Sequence, residues 1–256
     1  MLTITFLGTG TSQGIPIIGS DHPVCLSDNP KDKRLRSSIR LQWEGFNYVI
    51  DCSPDFRQQM LHSKTTTLDG MLFTHEHADH TAGFDDIRPF SFLHGEVPIY
   101  AEQRVLNELS VRFEYAFRTE NRYPGSPKVN AIPINPENHF TLKNKTVIPI
   151  RVLHNQLPIL GYRIDNFAYL TDVKTIPESE FDKLRGLDTL VLNALRLNPH
   201  DNHLNLEEAL QLAGKINPNS CYFTHISHLL GFHDKVSQAL PKTVFLAYDG
   251  LTITSH

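Results

Sequence analysis

Hydrophobic and polar positions along this chain change period repeatedly, and each change marks an element. The opening LTITFL is strand-like, and Ile39, Leu41 and Trp43 alternate with polar neighbours. Phe46, Tyr48 and Ile50 alternate in the same way, with only Glu44-Gly45 between the two runs. This spacing predicts a β-hairpin with a two-residue turn. A second hairpin is expected where GYRI meets FAYLT across Asp165-Asn166. Apolar runs at Gly70–Phe73, Val147–Leu153, Thr189–Leu192, Cys221–Phe223 and Val244–Ala247 read as buried strands. Helical signals are interleaved with them. Ser53-Pro54 predicts a helix start, with Pro in the first position and Asp55 in the first turn. Residues Glu102–Phe117 have helical character, and Leu206, Ala209, Leu210 and Ala213 recur at i, i+3, i+4 and i+7. Asn205 with Glu208 forms a capping-box pattern ahead of that last helix. The Pro- and Gly-containing stretch Asn121–Lys128 reads as a loop closing a helical insertion around 102–128. No repeat, low-complexity tract or linker-like break interrupts the pattern. One α/β domain over 1–256 is expected, with too many hairpins for a purely parallel doubly wound sheet.

Composition narrows the class. A chain of 256 residues, 40% hydrophobic and 20% charged, can bury a substantial core and is ordinary for a soluble globular protein. A net charge of −4 supplies no global basic field to hold a nucleic-acid backbone. No apolar run approaches the ~18 residues needed to span a bilayer, and the N-terminus lacks the pattern of a secretory leader. Cys25, Cys52 and Cys221 are odd in number and far apart, which does not describe a disulfide framework. A cytoplasmic protein without membrane association is the expectation. The outlier is histidine, at 14 residues, the commonest metal ligand and a frequent proton carrier.

The histidines concentrate after the buried run Gly70–Phe73. His75, His77, Asp79 and His80 fall within six residues. On a loop after a strand, His75 and His77 can address one centre, and the following turn lets Asp79 and His80 face a second. Imidazole nitrogen with carboxylate oxygen suits zinc, manganese or iron and excludes an all-thiolate site.

HxHxDH after a buried strand resembles the signature of the metallo-β-lactamase-fold hydrolases, and the likeness runs from LTITFLGTGTSQGIP to THISH and AYDG. The resemblance implies an αββα sandwich, two mixed β-sheets flanked by helices, with a dinuclear site at one edge. It also implies the remaining ligands, each after a strand: His154 ending IRVLH, Asp172 ending FAYLTD and His225 ending CYFTH. By this resemblance His75, His77 and His154 hold one ion, Asp79, His80 and His225 hold the other, and Asp172 bridges them. Two divalent ions, zinc or manganese, ~3.5–4 Å apart can lower the pKa of a bridging water towards ~7. His203, just ahead of the capped helix in NPHDNHLNLEEAL, matches the histidine proposed as general acid in the phosphodiesterase branch, with His200 as its rival. His203 and Asp79 are thus the catalytic candidates.

The start FLGTGTSQGIP is similar to the ribonuclease Z and cyclic-phosphate phosphodiesterase branches. GTGTSQGIPIIG, KDKRLRSS, GFDDIRPF and THISH resemble the phosphoribosyl cyclic phosphate phosphodiesterases in particular. That branch implies a phosphoric diester hydrolase for a small cyclic or nucleotide-like phosphodiester, and leaves a homodimer open. Its cysteine cluster is replaced here by SDHPVCLSD, so a structural zinc would have at most His22, Cys25 and His228. Structural sites are normally four-coordinate, so no third metal is expected. A ribonuclease Z-type tRNA nuclease is the alternative enzyme, gripping tRNA with a basic arm. The insertion here places Arg104, Arg112, Arg118 and Arg122 among four glutamates, a poor clamp for phosphates. A metal-binding, non-hydrolytic scaffold is the third reading, disfavoured because no ligand position is degenerate. Arg36 and Arg88 suit either a substrate phosphate or ion pairs. Gly8, Gly10 and Gly14 are read as allowing close backbone approach below the metal site, and Asp51 and Asp249 as buried structural carboxylates. His62, His94, His139, His233 and His256 receive no role.

Overall fold

The computed structural model describes residues 1–255; His256 lies outside the described residues. The first half of the chain builds one sheet from β1 (Leu2–Gly8), β2 (Ser38–Trp43), β3 (Phe46–Ile50), β4 (Gly70–Leu72), β5 (Val97–Ala101) and β6 (Val129–Pro133). The second half builds another from β7 (Phe140–Leu142), β8 (Lys145–His154), β9 (Leu157–Ile164), β10 (Phe167–Leu170), β11 (Thr189–Asn193), β12 (Ser220–Thr224) and β13 (Val244–Leu246). Strand β14 (Thr252–Ser255) returns to the first sheet beside β1. The orders are 14-1-2-3-4-5-6 and 13-12-11-10-9-8-7. Each sheet is antiparallel through its hairpins and parallel beyond them, from β3 to β6 and from β10 to β13. Among the described residues there are seven α-helices: α1 (Phe56–His62), α2 (Ala78–Thr81), α3 (Arg88–His94), α4 (Gln103–Arg112), α5 (Glu114–Phe117), α6 (Leu206–Ile216) and α7 (His233–Ala239).

The alternation read from the sequence explains the layering. Ile39, Leu41, Trp43, Tyr48 and Ile50 point between the sheets, where they meet Leu160, Tyr162, Ile164 and Tyr169. Val49, Met71, Phe73 and Ile99 point outward into a second core with Phe56, Phe84, Phe90 and Val105. A third core packs Val152, Leu170, Leu192 and Phe223 against Ala209 and Ala213 of α6. The parallel strands β4, β10 and β11 are buried at every position, which is why their sequences are continuous apolar runs. Both predicted hairpins form. Glu44 and Gly45 adopt φ of 49° and 86°, as a two-residue turn with positive φ at both central positions requires.

Two boundaries differ from expectation. The first helix begins at Phe56, with Asp55 at its N-cap. The Asp55 carboxylate makes no capping bond because it pairs with the Arg36 guanidinium at 2.9 Å. The helical stretch after Glu102 breaks at Phe113, whose φ and ψ of −123° and 40° separate α4 from α5. No described helix is long and apolar enough to cross a membrane.

Candidate metal centre

The seven histidines and aspartates assembled from the sequence converge where strands of both sheets end. After β4 the chain leaves the sheet through Thr74, and α2 begins with His77 as its N-cap, so Asp79 and His80 sit in one tight turn. His154 closes β8, while Asp172 and His225 follow β10 and β12. Asp172 and His225 have φ of 57° and 54°, and Asp51 after β3 has 64°. Left-handed backbone is uncommon outside glycine, although Asp and His tolerate it better than most residues. Such conformations gather where the surrounding structure pays for placing a functional side chain.

Four of the side chains form one tight group. Asp79, His80, Asp172 and His225 offer ligand atoms all within 4.8 Å of one another. The His80 Nε2 lies 3.3 Å from Asp79 Oδ2 and 3.2 Å from Asp172 Oδ2. The His225 Nε2 lies 3.2 Å from Asp172 Oδ1 and 3.7 Å from Asp79 Oδ2. The other set is adjacent: ring centroids are 4.5 Å apart for His75 and His77, and 5.3 Å for His77 and His154. The His154 Nδ1 faces the main-chain carbonyls of Asp172 and Asn202 at 3.0 and 2.9 Å, which leaves Nε2 as its ligand atom. His203 joins the same pocket, its Nδ1 3.6 Å from Asp172 Oδ1 and its ring 4.6 Å from that of His154. Together His154, Asp172 and His203 make a second group of possible ligands. His200 lies 5.2 Å from His203, ring to ring, one step further out.

This donor set fits divalent cations. Among the described residues, His80 Nε2, His203 Nδ1 and both ring nitrogens of His225 are buried without a hydrogen-bond partner. Native interiors seldom leave such groups unsatisfied unless a bound species serves them. The charges agree. Burial opposes a proton on His80, yet Asp172, Asp79 and Asp51 together hold its pKa well above the usual range. Burial likewise works against charge on Asp172 and Asp79, but His225 and His80 draw Asp172 well below the ordinary carboxylate range, and His80 and His225 do the same for Asp79. The cluster therefore stabilises positive charge at its centre. His75 is driven the other way, well below its ordinary value, first by burial and then by His80; a neutral imidazole is the form that binds a metal.

A supporting shell holds the cluster in place. Asp51 is fully buried; it accepts from the Thr74 main-chain N–H and hydroxyl, both at 2.8 Å, and pairs with His80 Nδ1 at 2.7 Å. It thus positions the loop, as expected of a structural carboxylate. Asp249 also has a structural place, accepting from the Thr9 hydroxyl at 2.7 Å and the Leu35 N–H at 2.6 Å. Two further groups went unmarked in the sequence. The Asn193 side chain grips both main-chain groups of Val173 and so fixes the turn carrying Asp172. Its only signal is a polar residue ending the apolar run TLVLN. Glu76, between His75 and His77, pairs with Arg104 of α4, which also donates to the Pro158 carbonyl.

Other expectations resolve individually. Arg36 and Arg88 are both engaged in ion pairs, with Asp55 and Asp85, rather than free to meet a phosphate. A Cβ on Gly8 would stand 2.0 Å from the Arg36 carbonyl oxygen, and one on Gly10 3.0 Å from that of Arg34, so close backbone approach does account for both. Gly14 combines a φ of +64° with similar crowding. His22 and His228 pack edge to face at 4.7 Å, with Cys25 buried nearby in the chain. His62, His94 and His139 are exposed, whereas His233 is buried against Arg34.

Residues 46–226 match the model of the beta-lactamase superfamily domain. A curated relative named octanoyltransferase, from Porphyromonas gingivalis (strain ATCC BAA-308 / W83), is 40% identical over 247 residues. The match takes in 96% of this chain but 50% of the relative, so the chain spans about half the length of the curated relative it matches. A solved structure described as a new diphosphatase from the PhnP family is 40% identical, with a TM-score of 0.92 over 98% of this chain and 96% of that one. Zinc-bound PqqB from Methylobacterium extorquens, 18% identical, superimposes with a TM-score of 0.81 over 98% of this chain and 99% of its own, a likeness of fold. Matching domain model, paired seven-stranded sheets and a full-length relative at 40% identity agree: the chain belongs to the beta-lactamase superfamily and, within it, to the PhnP family.

Proposed function

We propose that the chain is a metal-dependent phosphoric diester hydrolase acting on a small cyclic or nucleotide-like phosphodiester. In this reading His75, His77 and His154 hold one divalent ion, Asp79, His80 and His225 hold a second, and Asp172 is shared. The observation that carries it is the convergence of unpartnered imidazole nitrogens with the Asp79 and Asp172 carboxylates, beside a histidine that is free to move a proton. Zinc or manganese bound there would supply Lewis acidity, activating water near neutral pH and offsetting charge on the phosphoryl oxygens.

The chain's own groups do the rest. Asp51 and the carbonyls of Asp172 and Asn202 orient the rings of His80 and His154. Burial pushes the pKa of His203 down to about 3, against the pull of Asp172, so the imidazole enters the reaction neutral. It can then take up a proton released in the reaction and return it to the departing oxygen, within the pocket it shares with Asp172.

The arginines of the insertion bear on substrate size. Arg104 pairs with Glu76, Arg112 donates to Thr81, Arg118 pairs with Glu114, and Arg122 donates to the carbonyls of Ala116 and Pro127. Arginines so occupied offer little to a tRNA backbone, which favours a small molecule over ribonuclease Z chemistry. The diphosphatase relative supports a second reading in which the bond cleaved is a phosphoanhydride. The name of the longer relative suggests octanoyl transfer, yet all three cysteines here are buried and none belongs to the cluster, so no accessible thiol is offered to an acyl group.

The test is hydrolysis of bis(p-nitrophenyl) phosphate by protein reconstituted with Mn²⁺ or Zn²⁺. Turnover should vanish in Asp172→Ala and fall about a hundredfold or more in His203→Ala. Cyclic phosphates and nucleoside diphosphates then separate the two readings. Absence of turnover on all of them, with metal bound, rejects both.

A further inference from the structure

One guanidinium joins the two chain segments that carry His75, His77 and His154. Arg104 is the second residue of α4. Its Nη1 pairs with the Glu76 carboxylate, and its Nη2 donates to the Pro158 carbonyl at 2.7 Å. Glu76 stands between His75 and His77, whose Nε2 and Nδ1 lie 3.0 Å apart. Pro158 opens the return strand of the β8–β9 hairpin, where Leu153 faces Pro158 and His154 faces Leu157. A second route reaches the same hairpin: Arg104 Nη2 lies 3.9 Å from Glu102 Oε2, and Glu102 Oε1 accepts from Arg151 of β8 at 2.9 Å. The remaining candidates have other anchors, Asp51 for His80 and Asn193 for the turn carrying Asp172.

The energetics make this contact more than a surface ion pair. The Glu76 side chain is 17% exposed, and its Oε2 is buried with no hydrogen-bond partner. Among the described residues Arg104 is its one ionic partner. Without the guanidinium, a largely buried carboxylate would be left uncompensated, which is costly. The segment would then turn to bring Glu76 to water, and that rotation would carry His75 and His77 with it. A planar guanidinium suits the task, because its rigid fork of donors holds two acceptors in one fixed geometry.

We propose that Arg104 is a positioning residue for one metal site. It fixes the Glu76 and Pro158 segments relative to each other, so that His75, His77 and His154 present their ring nitrogens to a single divalent ion. The site of Asp79, His80 and His225 does not depend on it. This inference rests on the two-ion reading above but not on the reaction. A protein that binds both ions and cleaves no diester would refute the hydrolase and leave the test below in force.

The test starts from the full chain loaded with Co²⁺ and withdraws the ion with a graded chelator, followed by proton NMR. Each set of ligands owns one hydrogen-bonded imidazole N–H: His154 Nδ1 against the carbonyls of Asp172 and Asn202, and His80 Nδ1 against Asp51. Bound Co²⁺ shifts both signals far from the ordinary range, so each reports its own site. In Arg104→Gln the free Co²⁺ at which the His154 signal is half lost should rise about ten- to a hundredfold. The His80 signal should release as in wild type, which also shows that the variant is folded. Glu76→Gln should match Arg104→Gln, and the double variant should lose no more than either alone. Arg118→Gln removes a charge from the same insertion, where it pairs with Glu114, and should change neither signal. Arg104→Lys keeps the charge without the fork and should recover only part of the loss. Full recovery in Arg104→Lys, equal weakening at both sites, or an unchanged His154 signal in Arg104→Gln overturns the proposal.

Discussion

At the scale of single residues, the centre depends on groups that never need to touch a substrate. Asp51 holds His80 through Nδ1 and ties the loop down through Thr74. Burial raises its pKa, opposed chiefly by His80, so the pair is a carboxylate orienting an imidazole in a dry setting. Asp51→Asn keeps the shape and removes the charge. Zinc affinity, measured by competition with a chromophoric chelator, should fall about ten- to a hundredfold. An unchanged affinity would show that His80 is oriented by other means. The role of Asp51 as a structural carboxylate was legible because it ends a buried strand, at FNYVID. Asn193 was not, because its contact with Val173 joins two strands whose pairing the local pattern does not reveal.

At the scale of elements, caps and close approaches place the residues of the candidate site. The Asn205 side chain accepts from the Glu208 N–H at 2.8 Å, and the Glu208 carboxylate accepts from the Asn205 N–H at 2.9 Å. This capping box fixes the start of α6, whose N-cap Asn205 lies two residues after His203. Asn205→Ala should cost about 1 kcal/mol in urea unfolding and lower kcat more than it raises KM, since the turn carrying His203 loosens. Glycines separate into two kinds. Gly8→Ala would drive a Cβ into the Arg36 carbonyl and should destabilise by about 1–3 kcal/mol. Gly214, inside α6, has nothing within 4 Å of where its Cβ would stand. Gly214→Ala should therefore stabilise by about 0.5–1 kcal/mol in the same assay. The capping box was readable from four consecutive residues. The break at Phe113 was not, because the apolar spacing continues through it, and Phe113 and Phe117 instead turn onto Phe84.

At the scale of the whole molecule, buried charge links stability to pH. The Arg34 guanidinium spans Thr9, the Ala247 carbonyl and His233, in contact with residues from both ends of the chain. Burial first, then Arg34 and Lys31, push the pKa of His233 down to about 4. The unfolded chain, with a histidine near 6.5, binds the proton more readily between those values. Stability from this residue is therefore complete above about pH 6.5 and lost as pH falls towards 4. Asp249 acts in the opposite sense: burial raises its pKa to about 6, so it favours the folded state most in acid. Comparing wild type with His233→Gln isolates the first effect. The wild-type Tm should lose about 2–4 °C more than the variant between pH 6.5 and 4. Equal losses would mean that the histidine stays solvated.

The sequence by its local pattern determined the strands, the helices and the HxHxDH cluster of candidate ligands, while the layering and the remaining candidates came with the family resemblance. Strand and helix periods depend on neighbours within a few residues, and so do the HxHxDH turn and the capping box; local pattern is enough to read them. The tertiary structure decided what those residues face. His154, Asp172 and His225 lie far apart along the chain, and the run of pairings from β8 through β9, β10 and β11 to β12 brings their strand ends together. Arg36 and Arg88 meet the carboxylates of Asp55 and Asp85, whereas the Arg40 guanidinium meets the neutral acceptors Ser63, Thr65 and Thr5. The Arg88 pair lies three residues apart along the chain, but Arg36 reaches Asp55 across nineteen, and contacts of that span, which set desolvation and charge pairing, form only with the tertiary fold.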